Sequence, residues 1–126
     1  MQESPPALRF PYPPKELSPN ARVMWPVRQR VVRAYKDECY FTAFQQLKGK
    51  PTCALKAPVT AYTTFVVKVD RKRDEDNLSA SLKALWDGLV LLGLLAGDDA
   101  ARLHHAPIAI EKGKEACVMV RLEAAS

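Results

Sequence analysis

The sequence predicts a single α+β domain, a mixed β-sheet packed with two main helices and ending in a C-terminal β-hairpin. Three observations predict it. Two stretches repeat apolar residues at helical spacing, one stretch between them alternates at strand spacing, and two short β-rich segments flank a Lys-Gly-Lys turn near the end. A chain of 126 residues has room for one hydrophobic core, and this order of elements suits one sheet with helices laid on it. The domain is expected to take in residues 1–126, the first seven of them frayed.

Leu8-Arg9-Phe10 reads as a short first strand, and Pro11-Tyr12-Pro13-Pro14 ends it because proline removes backbone donors. Ser18-Pro19-Asn20-Ala21-Arg22 is turn chemistry, with Asn20 as the turn residue. From Pro26 to Leu47 the spacing predicts a helix. Val27, Val31, Tyr35 and Cys39 recur every four residues, and Ala34, Phe41 and Phe44 widen the stripe. Arg28, Arg30, Arg33 and Lys36 mostly take other faces, and Lys48-Gly49-Lys50-Pro51 stops the helix. Val59 to Asp70 alternates at the two-residue period, with Val59, Ala61, Thr63, Phe65, Val67 and Val69 on one face. Asn77 to Leu92 is the second helix, striped by Leu78, Leu82, Leu85, Leu89 and Leu92 and stopped by Gly93. Gly97-Asp98-Asp99 is a loop. Strands at Ala106–Glu111 and Ala116–Glu123, joined through Lys112-Gly113-Lys114, form the expected hairpin.

Composition narrows the class. The sequence is 48% hydrophobic and 26% charged, which excludes a wholly disordered chain. The longest apolar run, Leu89 to Ala96, is far shorter than the ~20 residues that span a bilayer. Gln2, Glu3, Ser4, Pro5 and Pro6 break any signal-peptide pattern, so a soluble cytoplasmic protein without membrane contact is expected. Cys39, Cys53 and Cys117 form no metal-binding spacing and are expected to be reduced and mostly buried. The net charge of +5 is unevenly divided. Residues 1–73 carry 14 Lys and Arg against 5 Asp and Glu, a surplus of nine. Residues 74–126 carry 5 against 9, a deficit of four. A basic part beside an acidic one points to a polyanionic partner and a carboxylate cluster with its own purpose.

The acidic residues concentrate in Arg73-Asp74-Glu75-Asp76-Asn77 and in Asp98-Asp99. Asp74 and Asp76, two apart, point to one side if the chain there is extended, and they lie near a helix amino end that favours negative charge. Each pair alone also reads as helix capping or as a turn. Together in a basic chain, three or four carboxylates suit a hard divalent cation, which would act on a phosphodiester. A straight 16-residue helix between the pairs spans roughly 24 Å, so the loop after Gly93 must fold back, or the cluster must form across a subunit boundary.

The strings RDEDNLSASLKALWDGL at 73–89 and GDDAARL at 97–103 resemble the RusA family of Holliday junction resolvases. That family carries Asp-x-Asp-Asn, a helix with Lys and Asp, and then a paired Asp-Asp. The opening PYPPKELSPNAR at 11–22, with Trp25 and a basic helix behind it, is similar to the entry segment of many phage members. The resemblance implies catalytic carboxylates at Asp74, Asp76 and Asp99, with Asp98 as the near alternative, all four being candidate ligands of Mg²⁺, or of Mn²⁺ instead. Asn77 matches the motif's Asn, which fixes the strand-to-helix turn. The family's catalytic Lys, four residues after the second Asp, is replaced here by Ala80. Lys83 is the nearest candidate, about one helical turn along and on a similar face. Its other reading is an exposed Lys paired with Asp87 at i,i+4.

Arg71, Lys72 and Arg73 beside the acidic motif, with Arg22, Arg28, Arg30 and Arg33, are the candidate DNA-binding residues. Trp25 and Tyr12 are candidates for stacking on bases, though Trp25 reads more readily as a core anchor. Trp86 is expected in the core or at a dimer interface, and His104-His105 on the surface. The implied protein is a Mg²⁺-dependent endodeoxyribonuclease that nicks four-way or other branched DNA as a homodimer, of phage or prophage origin. The alternative is a structure-selective DNA-binding protein whose acidic cluster is inactive. A metal-binding regulatory module without nucleic acid fits the charge asymmetry poorly.

Overall fold

The computed structural model describes residues 7–69, 73 and 75–124, and it is an α+β fold. The first strand, β1, runs Ala7–Pro11, so Ala7, expected in a frayed start, pairs instead with Arg121. Leu8 and Phe10 alternate into the core. A 3-10 turn at Lys15–Leu17 and a turn closed by Ala21 N–H on the Ser18 carbonyl lead to α1, Trp25–Leu47. The four-residue repeat of α1 continues through Tyr35, Cys39 and Ala43, which are its buried residues. Ala34, Phe41 and Phe44 are exposed, because at 100° per residue they turn away from that line. Tyr40 and Phe41 meet edge to face outside the stripe, at 5.2 Å.

The central strand β2 is Val59–Val67, and its alternation is that of the sequence, with Val59, Ala61, Thr63, Phe65 and Val67 buried. It ends earlier than expected, and Lys68 and Val69 form an exposed bend. The second helix is not continuous. It divides into α2, Glu75–Ala80, and α3, Lys83–Leu92. Ser81 Oγ donates to the Leu78 carbonyl at 2.6 Å, and Leu82 N–H takes the Ser79 carbonyl three residues back. Both draw carbonyls out of the regular ladder, which tightens and bends the helix there. The leucine stripe survives the break: Leu82, Leu85, Leu89 and Leu92 are buried and Leu78 packs against them.

Three strands follow: β3 (Leu103–His105), which the sequence did not suggest, β4 (Ala109–Lys112) and β5 (Cys117–Ala124). The expected hairpin is replaced by a different pairing. β4 lies parallel to one edge of β2 and β5 antiparallel to the other, so the last two strands straddle β2. β2 has apolar residues on both faces and an edge on each side to satisfy, which a hairpin standing apart would leave open. Their connection passes close over the end of β2: Gly113 N–H donates to the Val67 carbonyl, and a Cβ at Gly113 would meet Val66 at 2.6 Å. β3 and β4 occupy the same edge of β2, interrupted at Ala106-Pro107-Ile108, where Pro107 has no N–H to offer a ladder. β1 pairs with β5, giving the order β1-β5-β2-β3, with β4 beside β2 as well.

The core lies on the helix side of the sheet. α3 packs against α1 so closely that a Cβ on Gly88 would stand 2.9 Å from the Lys36 carbonyl oxygen. The other face of the sheet carries Tyr62, Met119 and Arg121, with the Arg121 guanidinium 4.0 Å above the Tyr62 ring. Cys39 and Cys117 are buried as expected, whereas Cys53 is exposed, and all three are free thiols. Among the described residues no helix is long and apolar enough to cross a membrane.

Candidate active site

The fold positions its acidic residues through the connection from β2 to β3. α2 starts the crossover with Asp76 and Asn77 in its first turn, and α3 carries Lys83 and Asp87 one turn apart. After Leu92 the chain reverses at Gly93. Leu94 and Leu95 bury themselves in the core, and the Leu94 carbonyl accepts from Leu55 N–H. Those two anchors send the following loop back along α3, and Asp98 arrives at the helix start. Lys83 Nζ donates there to both Asp87 Oδ1, at 2.8 Å, and Asp98 Oδ2. The loop after Gly93 thus returns, within one chain, as far as Lys83.

The electrostatics follow from that triad. Hydrogen bonds to Asp87 and then Asp98 raise the Lys83 ammonium above its ordinary value, so it stays charged. Lys83 in turn holds Asp98 below the usual carboxylate range, against a smaller opposing effect of burial. Lys83 is well exposed and can turn toward a ligand without leaving a buried charge behind. Asp99 is placed differently. Its carboxylate accepts from Arg102 N–H at 3.0 Å and from Arg102 Nη1 at 2.7 Å, fastening the loop into β3. Of the adjacent pair, Asp98 meets Lys83 and Asp99 meets Arg102.

Asp76 lines a cleft of about 230 Å³ with Ser79, Leu82, Trp86, Thr63 and the His105–Ile108 segment. The cleft exists where Pro107 interrupts the edge of the sheet. His105 leans on the Trp86 ring, centroids 5.1 Å apart, and burial lowers its pKa while Asp98 pulls the other way. Trp86 is in the core, 6% exposed. The sequence marks Asp76, Trp86 and His105 among these residues, but not Ser79 or Ala106–Ile108 as part of a site. The proline inside an apparent strand was the available signal. The Asp99–Arg102 spacing of three was a second.

Asp74, Arg71 and Lys72 lie outside the described residues. Arg73 donates to the Val69 carbonyl at 3.0 Å, next to a recess shared by Tyr12, Val67 and Lys68. Tyr12 itself packs edge to face on Phe65. Among the basic residues of α1, Arg30 and Arg33 are exposed, as is Arg22 before the helix. Arg28 is half-buried and serves the fold, donating to the carbonyls of Glu16, Leu17 and Ser18. Asn20 sits in its turn with its N–H on Ser18 Oγ. Trp25, which reads as a core anchor, is 72% exposed, because the first turn of α1 projects past the sheet-packed part of the stripe.

The donor set at this site is carboxylate oxygen, the chemistry of a hard cation rather than of zinc. Among the described residues no three His, Cys, Asp or Glu side chains converge to hold a metal ion.

No family model matches the chain. The sequence is 29% identical over 107 residues to the crossover junction endodeoxyribonuclease RusA of Aquifex aeolicus (strain VF5), covering 85% of this chain and 68% of that protein. The chain is thus similar to a RusA protein over most of its length.

Proposed function

We propose that the protein is a structure-selective endodeoxyribonuclease that nicks Holliday junctions or other branched DNA and depends on Mg²⁺, with Mn²⁺ as an alternative. The observation that carries the reading is the ion pair between Lys83 and Asp98, fifteen residues apart, beside the cleft that holds Asp76. A surface turn has no need to return along a helix to meet its Lys; a site that must gather acidic groups with a cation does. The likeness to RusA supplies the substrate class.

In this reading Asp74, Asp76 and Asp99, with Asp98 as the near alternative, hold the cation. When bound, the cation supplies an activated water and neutralises charge on the phosphodiester. Asp98 and Asp87 hold Lys83 charged and in place, from where its ammonium reaches phosphoryl oxygens or the leaving group. Arg22, Arg30, Arg33 and Arg71–Arg73 grip the DNA backbone. Two nicks placed symmetrically on a four-way junction need two such sites about a twofold axis, hence a homodimer.

The test incubates the protein with a synthetic four-way junction, with Mg²⁺ or with EDTA, beside Asp76→Asn. Cutting that requires Mg²⁺ and is lost in Asp76→Asn is the expected result. Binding with no metal-dependent cutting would replace the enzyme by a structure-selective DNA-binding protein. Equal cutting by both proteins would remove Asp76 from the site.

A further inference from the structure

We infer that Trp25, with Met24 beside it, is a stacking platform for an unpaired base of DNA, set in a basic collar that holds the neighbouring phosphates. The inference rests on the reading of the chain as a protein that acts on branched DNA.

Four observations lead to it. Trp25 is 72% and Met24 76% exposed, while the other tryptophan is buried. Tryptophan is usually largely buried, and a bare one among charged neighbours marks a contact surface. The stretch 18–36 around them contains Arg22, Arg30, Arg33 and Lys36, besides the Arg28 that holds the turn, and no Asp or Glu. This is an aromatic face inside an electropositive field, the combination that binds single-stranded nucleic acid. The backbone that carries it is also fixed. Arg28 ties the carbonyls of Glu16, Leu17 and Ser18 to α1, Leu17 is buried, and Pro26 stiffens the first turn of the helix. A backbone fixed this way leaves only the side-chain torsions of the ring to be settled on binding.

The fourth observation is position. β1 and β2 are both antiparallel to β5 and so run parallel to each other. The segment leading to Trp25 leaves the end of β1, and the segment leading to Asp76 leaves the same end of β2. The two begin side by side, since Tyr12 and Val67–Val69 line one recess of about 310 Å³ together with Arg73. The segments that carry the platform and the acidic motif therefore start from the same end of the strands.

The occupant follows from area and charge. Two apolar side chains are too small a patch for a protein interface, which buries about 1,200 Å² or more. A second copy placed across a twofold axis would set five positive charges against five more. DNA brings the opposite charge. Within a duplex each base is already stacked on both faces, so the ring needs a base freed at a branch point or in a single strand.

The experiment uses the full chain in EDTA, so that binding is read without cutting. Probes are a synthetic four-way junction, a linear duplex of equal length and an unstructured single strand. In Trp86→Phe, Trp25 is the sole tryptophan. Its emission is expected to change, and its quenching by acrylamide to fall, with the junction and the single strand but not with the duplex. In the otherwise native chain, Trp25→Ala is expected to weaken junction binding roughly tenfold. Duplex binding should stay within about twofold, with an unchanged dependence on salt, because stacking releases no counterions. Trp25→Phe should recover most of the loss. A junction that binds while Trp25 emission and the Trp25→Ala affinity stay as they were would overturn the inference alone. So would shielding of Trp25 that rises with protein concentration in the absence of DNA. A wild-type chain that binds no branched DNA would overturn the reading beneath it as well.

Discussion

Lys83 is the residue on which the proposed chemistry turns, because it has two carboxylate partners and remains exposed. Replacing it with Met keeps the length of the side chain and removes the charge. Lys83→Met is expected to lower the rate of junction cutting by about 10²–10³-fold, the usual loss of a charge-stabilising donor. Junction binding in EDTA should change little, and single-turnover cleavage against a gel-shift titration separates the two. Wild-type cutting by the variant would reduce Lys83 to a surface ion pair, worth only a few tenths of a kcal/mol. Its pairing with Asp87 was legible from the i,i+4 spacing. Its pairing with Asp98 was not, because it depends on where Leu94 and Leu95 find burial, a tertiary outcome. His105 offers a second test at this scale. Burial against Trp86 lowers its pKa from the ordinary 6.5, with His104 acting the same way and Asp98 opposing. The folded state then binds fewer protons than the unfolded one just below that value. Stability contributed by neutral His105 is complete above pH 6.5 and is lost as pH falls through the window down to the folded pKa. His105→Gln is expected to flatten that limb in urea midpoints measured across the range, and an unchanged profile would show that His105 titrates as if unfolded.

Among the elements, the contact of α1 with α3 is set by one position. Gly88 brings the helix backbones together at a point where a methyl group would stand 2.9 Å from a main-chain oxygen, which cannot rotate aside. In isolation Gly→Ala in a helix stabilises; here the clash wins. Gly88→Ala is expected to destabilise by about 1–3 kcal/mol, read as a lower urea midpoint at unchanged m-value. An unchanged or raised midpoint would mean that the helices separate at little expense. The helical stripes and the β2 alternation were legible because burial repeats at the period of the element itself. The break at Ser81-Leu82 was hidden, since the leucine stripe runs through it and only a side-chain hydroxyl to a carbonyl marks it. The pairing of β4 and β5 was misread for a related reason. A short turn between two strands names a hairpin locally, but β2 needed a neighbour on each edge, and that demand is invisible in the local sequence. The same pairing sets β3 and β4 on one edge, and the gap between them opens the cleft beside Asp76.

At the scale of the whole molecule, the uneven charge has a structural counterpart. The basic surplus lies in β1, α1 and the segments around them, while the acids gather on the β2–β3 connection. The connections after β1 and β2 leave the same end of the strands, so a polyanion gripped by the first would extend toward the second. The resemblance and charge made this division legible in the sequence. Which arginines face solvent was not, and Arg28 shows why: a residue of the right charge was taken up by carbonyls of its own chain. That difference is measurable. Each phosphate contact steepens the fall of log K with log salt by about 0.9 on duplex DNA. Arg30 and Arg33 are exposed and have no carboxylate near them in sequence before Asp37. If both touch phosphates, Arg30→Ala with Arg33→Ala lowers the slope by about 1.8 in total and weakens junction and duplex alike, with the folding midpoint held. Arg28→Ala should do the reverse, lowering the midpoint by freeing the turn at Lys15–Leu17 while the slope changes by less than one contact. Filter-binding titrations of each protein across a salt series, paired with urea melts, read both quantities. A slope unchanged in the double variant would move the DNA track off α1 and onto the segment around Arg73.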